Sequence, residues 1–338
     1  MNLMKKCFWL IVLILSFSCS DKEVNVSGFI VEPKNLTLSK GDVVQLSYIV
    51  SPYRADNKTI AWKSNDINIA TVSATGVVTA VAQGNTQIIA TTNDGNFTET
   101  INVKVLRGSP SEDSIALIKL YEIAENLYWD ITKPMDKWQG VVLSPGRRVL
   151  EIYWNNNIYI TNQLDPSIGN LAMLKSLKLL FYGWGTHTIT IPKEIGMLTE
   201  LQELFFYGFT GQIPSELGNL TKLEYLYFDR NNLTGGGIPK ELGNLINLKS
   251  LVFYRCNLSG SIPKELGNLT KLRELNFYYN QLSGEIPQEL ENLKNLIDLD
   301  LSYNYLSGNI PQYLLNRFNR WSFCPQYGDG FDNFDCGW

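Results

Sequence analysis

Histidine, cysteine and carboxylate side chains are the first candidates for chemistry in this 338-residue chain. His187 is the only histidine, and no motif pairs it with a Ser or Cys nucleophile, so a Ser-His-Asp site has no support. No phosphate loop, dinucleotide fingerprint or metal-ligand spacing occurs in the sequence. We therefore expect no enzyme activity, no cofactor and no metal.

Carboxylates recur in the second half of the chain, at Glu151, Glu203, Glu274, Asp298 and Asp300. A glycosidase needs two carboxylates that flank a bond inside a cleft. These residues fall on predicted strands with an open face, so we interpret them as solvated charges.

Aromatic side chains with interspersed arginines give a stronger signal, and the chemistry they suit is recognition, because aromatic residues and arginine dominate interface cores. Tyrosine also favours strands in the absence of any ligand, so a solvated sheet is the alternative. The candidate ligand-binding residues are Tyr153, Phe205, Tyr207, Tyr225, Tyr227, Arg230, Tyr254, Arg255, Tyr278, Tyr279 and Tyr303, and Phe181 is predicted to share their outward orientation.

A formal net charge of −4 and a pI near 5.3, without a basic stripe, argue against a nucleic-acid partner. The hydrophobic content of 44% is that of a folded chain.

Residues 1–18 are predicted to be a signal peptide, because Lys5 and Lys6 precede an apolar run, residues 8–15, that is too short to span a bilayer. The segment ends in Ser16-Phe17-Ser18-Cys19 and resembles the lipobox of bacterial lipoproteins, in which the cysteine is acylated. The resemblance implies lipidation of Cys19, a tether over residues 19–24, and a location at the outer membrane or cell surface, with the lipid as the membrane contact. An ordinary secretory signal with an incidental cysteine is the alternative.

Three cysteines remain after the signal segment and the lipidation site, in a compartment where disulfides persist. Cys324 and Cys336 are expected to form a disulfide. Cys256 is interpreted as a buried structural thiol, with a reactive nucleophile as the alternative.

Residues 25–106 show short strand-like runs broken by turn signals such as Lys40-Gly41-Asp42, as in a β-sandwich. Trp62-Lys63-Ser64-Asn65-Asp66, followed by the apolar runs at 69–72 and 76–80, resembles the group 2 bacterial immunoglobulin-like domains. That resemblance implies a small sandwich used as a spacer or adhesive module, with Trp62 in its core.

Residues 109–148 are predicted to be an N-terminal helical cap. Ser109-Pro110-Ser111-Glu112 is a capping box, and apolar residues from Leu117 to Tyr128 then follow a helical period. The stretch from Asp113 to Val141, which ends in Trp138-Gln139-Gly140-Val141, resembles the N-terminal cap of plant-type leucine-rich-repeat proteins. It lacks the paired cysteines common there, so we expect packing alone to hold the cap.

Residues 149–315 are predicted to be a solenoid of seven repeats. Leu220-x-x-Leu223-x-x-Leu226-x-Phe228-x-x-Asn231-x-Leu233 recurs from Leu269 and from Leu293, and the prolines of successive Gly-x-Ile-Pro segments lie 24 residues apart. The Leu-Ser-Gly-x-Ile-Pro form resembles plant-type leucine-rich repeats. Alternation directs the leucines of Leu-x-Leu inward from a short strand. The resemblance implies a curved parallel sheet with an irregular or 3-10 convex side. The Asn is expected to bond otherwise unpaired backbone groups.

Residues 316–338 are predicted to be a C-terminal cap in which Phe318, Trp321 and Phe323 cover the last repeat. The Asp residues between Cys324 and Cys336 do not follow the order of an EF-hand loop, so calcium is a minor alternative.

The fold class is therefore multidomain, an immunoglobulin-like β-sandwich followed by a leucine-rich-repeat solenoid with a helical cap. The function we expect is recognition of a protein or peptide, host-derived ones included, on the concave face of the repeats. A glycan-binding lipoprotein and a structural spacer or adhesin are the alternatives.

Overall fold

The computed structural model describes residues 23–125, 127, 129–154, 162–181, 189–318 and 322–327, and the backbone of 159–160. The chain forms two compact units, Met1–Val105 and Leu106–Trp338. Cys19, Tyr128, His187, Trp321 and Cys336 lie outside the described residues.

The first unit is an antiparallel sandwich. Its strands are β1 (Gly28–Glu32), β2 (Asn35–Ser39), β3 (Val43–Gln45), β4 (Ser47–Ser51), β5 (Ile60–Ser64), β6 (Ala70–Val72), β7 (Val77–Ala80), β8 (Gly84–Thr92) and β9 (Thr98–Leu106). They form sheets with the strand orders β1-β4, β2-β9-β8-β5 and β3-β7-β6.

Alternation of buried and exposed positions builds the sandwich core, as in Ile88 and Ala90 of β8 against Ile101 and Val103 of β9. Trp62, predicted to be a core residue, is half-buried and packs against the edge of that core.

The second unit is a solenoid. Its elements are α1 (Pro110–Ile123), β10 (Ala124–Glu125), β11 (Val141–Leu143), β12 (Val149–Trp154), β13 (Tyr159–Ile160), β14 (Ser176–Leu180), β15 (Glu203–Tyr207), β16 (Tyr225–Asp229), β17 (Ser250–Tyr254), β18 (Ser259–Gly260), β19 (Glu274–Asn276), β20 (Gln281–Gly284), β21 (Asp298–Asp300), β22 (Tyr305–Leu306) and α2 (Gln312–Leu315).

The solenoid has an eight-stranded sheet of order β11-β12-β14-β15-β16-β17-β19-β21. All pairs in it are parallel except β11 with β12, so seven parallel strands represent the seven predicted repeats. A second, smaller ladder joins β18, β20 and β22.

Inside the solenoid, equivalent side chains of successive repeats stack on one another in register. The second inward residue of four successive repeats is a phenylalanine, and neighbouring rings lie 5.3–5.6 Å apart between centroids. Fully buried rings at this spacing contribute both apolar area and favourable ring packing. The four residues are Phe206, Phe228, Phe253 and Phe277.

The predicted asparagine ladder is confirmed in the described repeats. Asn280 Nδ2 donates to the Phe253 carbonyl at 2.7 Å, and its Oδ1 accepts from the backbone N–H groups of Cys256 and Leu258. Each asparagine thus satisfies backbone groups that the curved sheet leaves unpaired.

Cys256 takes the asparagine position of its repeat and is fully buried, as predicted. Its Sγ lies 3.1 Å from the Phe228 carbonyl oxygen, and Asn231 Nδ2 donates to it at 3.7 Å. Burial raises the pKa of this thiol to about 12, so it stays protonated and unreactive.

Short 3-10 helices form the convex side, following the Ile-Pro segments. A Cβ atom at Gly218 would lie 2.5 Å from the Glu241 carbonyl oxygen of the next repeat. The glycine at this position therefore permits the close contact between neighbouring turns. These 3-10 helices are Pro166–Asn170, Lys193–Met197, Ser215–Asn219, Lys240–Asn244, Lys264–Asn268 and Gln288–Asn292.

The N-terminal cap helix α1 begins as predicted, with Ser109 accepting from the Glu112 N–H. It ends at Ile123, earlier than the predicted apolar period, and the chain continues as β10. Trp129 and Trp138 stack at 5.0 Å and, with Trp154, close the end of the repeat core.

Packing alone does not hold the cap, so that expectation is wrong. Asp113 of α1 and Arg148 form a fully buried ion pair, with contacts of 2.8 and 2.9 Å to Nε and Nη2. Asp113 also accepts from the Val149 N–H at 2.8 Å. This charge pair ties the helix to the first parallel strand.

At the other end, Phe323 is fully buried and Phe318 packs partly against the core. Gln326 extends the asparagine ladder, accepting from the Leu306 N–H at 3.0 Å. Cys324 is disulfide-bonded, and its pairing with Cys336 stays a prediction. Among the described residues, no helix is long and apolar enough to cross a membrane.

Candidate functional site

Aromatic side chains project from the middle strands of the parallel sheet, on the face opposite the leucines. The strand register places Phe205 beside Tyr227, and Tyr207, Asp229 and Tyr254 in one row. We call this surface the concave strip and define it by Phe205, Tyr207, Tyr225, Tyr227, Tyr254 and Tyr278, all of them half-buried.

Two pairs of rings in the concave strip are stacked across neighbouring strands. The centroids of Phe205 and Tyr227 lie 4.6 Å apart, and those of Tyr254 and Tyr278 lie 4.9 Å apart, each pair with an interplanar angle of 11°. These separations match the roughly 4.8 Å spacing of hydrogen-bonded strands, so the register itself enforces the stacking. The free surface of the stacked rings is therefore their edges and hydroxyl groups.

Charged side chains cover and fix the first of these pairs. Lys178 Nζ lies 4.6 Å from the Phe205 ring centroid and 2.7 Å from Glu203 Oε2. Burial acts to raise the pKa of Glu203, but hydrogen bonds from Lys178 and Ser176 outweigh it and hold that pKa below its usual value.

Tyr227 is also held in place at its hydroxyl, which donates to Glu274 Oε2 at 2.7 Å. Burial, followed by the effect of Glu274, raises the pKa of Tyr227 to about 12, so the hydroxyl remains a donor at physiological pH. The ring is thus ordered before any partner arrives.

Asp229 lies in the centre of the strip, and burial raises its pKa although Arg230 and Arg255 oppose the shift. Arg230 donates a hydrogen bond to the Tyr207 hydroxyl. The strip therefore has a mixed, mostly compensated charge at its centre.

The structure separates four predicted residues from the strip. Arg230, Arg255, Tyr279 and Tyr303 follow the strands in left-handed backbone conformation, with φ between 47° and 58°. Strand alternation no longer applies there, so these side chains lie along the rim of the concave face.

Two further aromatic residues are placed differently from the strip. Tyr153 lies on β12 at the N-terminal end of the sheet and is 48% exposed. The outward orientation predicted for Phe181 is wrong, because β14 ends at Leu180 and Phe181 is buried against Phe209 at 5.3 Å.

Two exposed tyrosines escaped the sequence prediction. Tyr305 lies on β22 of the second ladder, and Tyr327 lies in the C-terminal cap, with ring centroids 5.2 Å apart. The repeat pattern could have identified Tyr305, because the equivalent position of earlier repeats holds the polar residues Asn232, Asn257 and Gln281.

An open hollow of about 640 Å³ continues the strip towards the N-terminal repeats. Tyr153, Lys178, Glu203 and Phe205 are among the residues that line it. Ligand sites of this size are common, and the mixture of aromatic and charged walls suits a polar or peptide ligand.

The concave strip presents a fixed shape and fixed charges to which a partner can be complementary. Within the described part of the chain, no group of three or more His, Cys, Asp or Glu residues is placed to hold a metal ion. The predicted carboxylates Glu203, Glu274 and Asp298 lie in one row across parallel strands, and the first two are bonded to neighbouring side chains.

A coiled chain of seven repeats, with a parallel concave sheet, an asparagine ladder and 3-10 helices on its convex side, defines a leucine-rich-repeat solenoid. The family model described as "Leucine-rich repeat region" matches residues 146–326, more than half of the chain, and the chain belongs to this family. Residues 25–103 match the model of the "Bacterial Ig-like domain (group 2)".

Curated relatives resemble the chain over short segments. An Ig-like virion protein of Serratia phage KSP90 is 41% identical over 24% of this chain and 32% of its own length. Lacto-N-biosidase of Bifidobacterium bifidum is 44% identical over 21% of this chain and 6% of its own length. The chain thus spans a third or less of either relative.

Solved structures resemble the solenoid. A plant ice-binding protein has a TM-score of 0.50 at 24% identity, covering 65% of this chain and 69% of its own, which shows the shared fold. The plant peptide hormone receptor RGFR1 in complex with RGF2 has a TM-score of 0.41 at 38% identity, covering 46% of this chain and 24% of its own.

Proposed function

We propose that this chain is a non-enzymatic recognition protein whose concave strip binds an extended peptide segment of a protein partner. We further propose that lipid on Cys19 anchors it to the outer membrane or cell surface of a bacterium. The immunoglobulin-like unit, which lies between that cysteine and the repeats in the chain, serves as a spacer.

The observation that carries the proposal is the pre-ordered stacking in the strip. The pairs Phe205–Tyr227 and Tyr254–Tyr278 are fixed by strand register, and the Tyr227 hydroxyl is bonded to Glu274. A partner therefore meets rigid aromatic side chains and loses little conformational entropy in ordering them. Rigid, half-buried aromatics are the residues that contribute most at interfaces.

Ring accessibility favours a peptide over a glycan on this strip. A sugar stacks on a ring face, but in each pair one face of each ring is covered by its partner, and Lys178 lies over Phe205. The exposed edges and hydroxyls suit backbone amides and side chains of a peptide. Seven strands span roughly 29 Å, which an extended segment of about nine residues would cover.

The two sides of the strip carry opposite charges, which would fix how a bound peptide is oriented. Glu203, Glu274 and Asp298 lie at the starts of their strands, and Arg230 lies beyond the end of its strand. A bound segment is expected to place basic groups on the first side and acidic groups on the second, which sets register more than affinity.

The experiment is selection of a displayed library of 12-residue peptides on the purified chain. We expect a consensus that binds the wild-type chain and is lost from the Tyr227→Ala/Tyr254→Ala/Tyr278→Ala variant. The matched control is Lys240→Ala/Lys264→Ala on the convex 3-10 helices, which should retain the consensus peptide. Failure to enrich any consensus, or equal binding to the triple variant, would leave the spacer function as the better explanation.

A further inference from the structure

A second recessed surface lies outside the concave strip, between its rim and the short ladder of β18, β20 and β22. We call it the rim groove; it has a volume of about 540 Å³. Its volume falls within the range typical of ligand sites. The residues that line the rim groove are Arg255, Asn257, Tyr279, Asn280, Gln281, Tyr305 and Tyr327.

The backbone of the rim groove is strained. Arg255, Asn257 and Tyr279 have φ values of 52°, 57° and 58°, in the left-handed region that disfavours residues with a Cβ atom. At the position equivalent to Arg255 and Tyr279, an earlier repeat has Gly208, with φ of 85°. The repeat therefore folds without a side chain there, and large side chains at such a site point to a function.

The tyrosines of the rim groove are arranged differently from those of the strip. The rings of Tyr279 and Tyr327 meet at 87°, and those of Tyr305 and Tyr327 meet at 41°. The three residues are 45%, 49% and 36% exposed for Tyr279, Tyr305 and Tyr327. The Tyr279 ring is covered by Arg255, whereas among the described residues the Tyr305 ring contacts only the ring of Tyr327. Tyr305 therefore offers a ring face on which the C–H face of a sugar can pack.

Side-chain amides stand beside these rings. Asn257 Nδ2 donates to Asn232 Oδ1 at 2.9 Å, and Gln281 Nε2 donates to Asn257 Oδ1. The chain of donors fixes the orientation of both amides and leaves Gln281 Oε1 without a donor among the described residues. An oriented amide acceptor beside an aromatic face suits the hydroxyl groups of a sugar.

The guanidinium group of Arg255 adds a positive charge to the rim groove, and its N–H groups have no acceptor among the described residues. Its guanidinium carbon lies 5.0 Å from the Tyr279 ring centroid and 5.5 Å from that of Tyr254. Arg230, by contrast, donates to Tyr207. A guanidinium held over rings, with no hydrogen-bond acceptor among the described residues, matches the geometry of a carboxylate.

We propose that the rim groove binds an oligosaccharide that carries a carboxylate. The acid group would bind Arg255, which lies over the Tyr279 ring, while a sugar ring would pack on Tyr305 and its hydroxyl groups would bond Gln281. This site is separate from the concave strip, so it does not depend on the peptide-binding function proposed above.

Titration calorimetry on the full chain tests the proposal with three probes: tetragalacturonate, a hyaluronan tetrasaccharide and sialyllactose. Each is compared with its methyl ester, which keeps the rings and removes the charge. We expect at least one acid to bind, and its ester to bind at least tenfold more weakly. No binding of any acid at millimolar concentration, or equal binding of acid and ester, would overturn the proposal.

Variants at left-handed positions test the residues without unfolding the repeat, because asparagine adopts this backbone more readily than arginine or tyrosine does. Arg255→Asn and Tyr279→Asn should each weaken the acidic sugar at least tenfold. Arg230→Asn is the matched control, with the same loss of charge at the same position one repeat earlier, and should change the affinity less than twofold. Equal losses from Arg255→Asn and Arg230→Asn would show general attraction to positive charge and refute the site.

The concave strip provides the final comparison. Tyr227→Ala should leave sugar binding unchanged. If this variant no longer binds the sugar, the sugar site lies on the concave strip and the proposal fails. If Arg255→Asn abolishes binding of a library-selected peptide and leaves sugar binding intact, the guanidinium serves a peptide carboxylate and the proposal fails.

Discussion

The buried ion pair between Asp113 and Arg148 gives the sharpest stability prediction. Both side chains are fully buried, with contacts of 2.8 and 2.9 Å. Arg148→Met removes the guanidinium and leaves a carboxylate in an apolar setting, which commonly costs about 3–5 kcal/mol. For a unit of this size, each kcal/mol lowers Tm by about 2–4 °C, so we expect a fall on the order of 10 °C.

The double variant Asp113→Asn/Arg148→Met separates the pair's net contribution from the cost of a lone charge. It removes both charges and keeps an acceptor for the Val149 N–H, which Asp113 satisfies at 2.8 Å. We expect it to recover most of the lost stability. Lys119→Met, which removes the exposed pair with Glu122, is the control and should leave stability nearly unchanged.

The pH dependence of Arg148→Met follows from the same contacts. Burial raises the pKa of Asp113 even beside Arg148, and loss of the guanidinium raises it further. A raised carboxyl pKa means that the folded state binds the proton more tightly than the unfolded chain. The variant should therefore lose stability as pH rises through the folded-state pKa and regain it as pH falls.

The measurement is calorimetric scanning of wild type, Arg148→Met, Lys119→Met and the double variant Asp113→Asn/Arg148→Met between pH 5 and pH 7.5. If Arg148→Met matches Lys119→Met in Tm, or if the double variant is the least stable, the ion pair does not hold the cap as argued.

Three further predictions concern cysteines. Cys256→Asn should restore the ladder bonds that Asn231 makes in the preceding repeat and raise Tm by about 2–4 °C, because each net hydrogen bond contributes about 1 kcal/mol; a lower Tm would refute this. Mass spectrometry of the membrane fraction should find an acylated N-terminal peptide beginning at Cys19, and a free N-terminus elsewhere would contradict lipidation. Non-reducing peptide mapping should join Cys324 to Cys336, a bond expected to contribute about 2–4 kcal/mol, and two free thiols would exclude it.

The repeats were predictable because their signals are local and periodic. Leu226, Phe228 and Asn231 recur at fixed spacing, and strand alternation assigns the first two to the interior, where the structure places them. The stacking of Tyr254 on Tyr278 follows from the same register.

The contacts that sequence missed are non-local or follow a change in backbone conformation. Asp113 and Arg148 are 35 residues apart, and no period connects them. Arg255 and Tyr279 were assigned to the concave face by alternation, which fails once φ becomes positive after the strand. Tyr327 reaches the rim through the irregular C-terminal cap, so only the folded chain brings it beside Tyr305.

The most direct test of the central claim is the affinity of the library-selected peptide for single-residue variants of the concave strip. Tyr227→Ala and Tyr254→Ala come from middle strands, and truncating such interface aromatics costs about 2 kcal/mol or more. We predict that calorimetry will show each variant still folded but binding about 30-fold more weakly, while Lys264→Ala binds as wild type does. Unchanged affinity in both tyrosine variants would contradict the account and identify the strip as a solvated sheet.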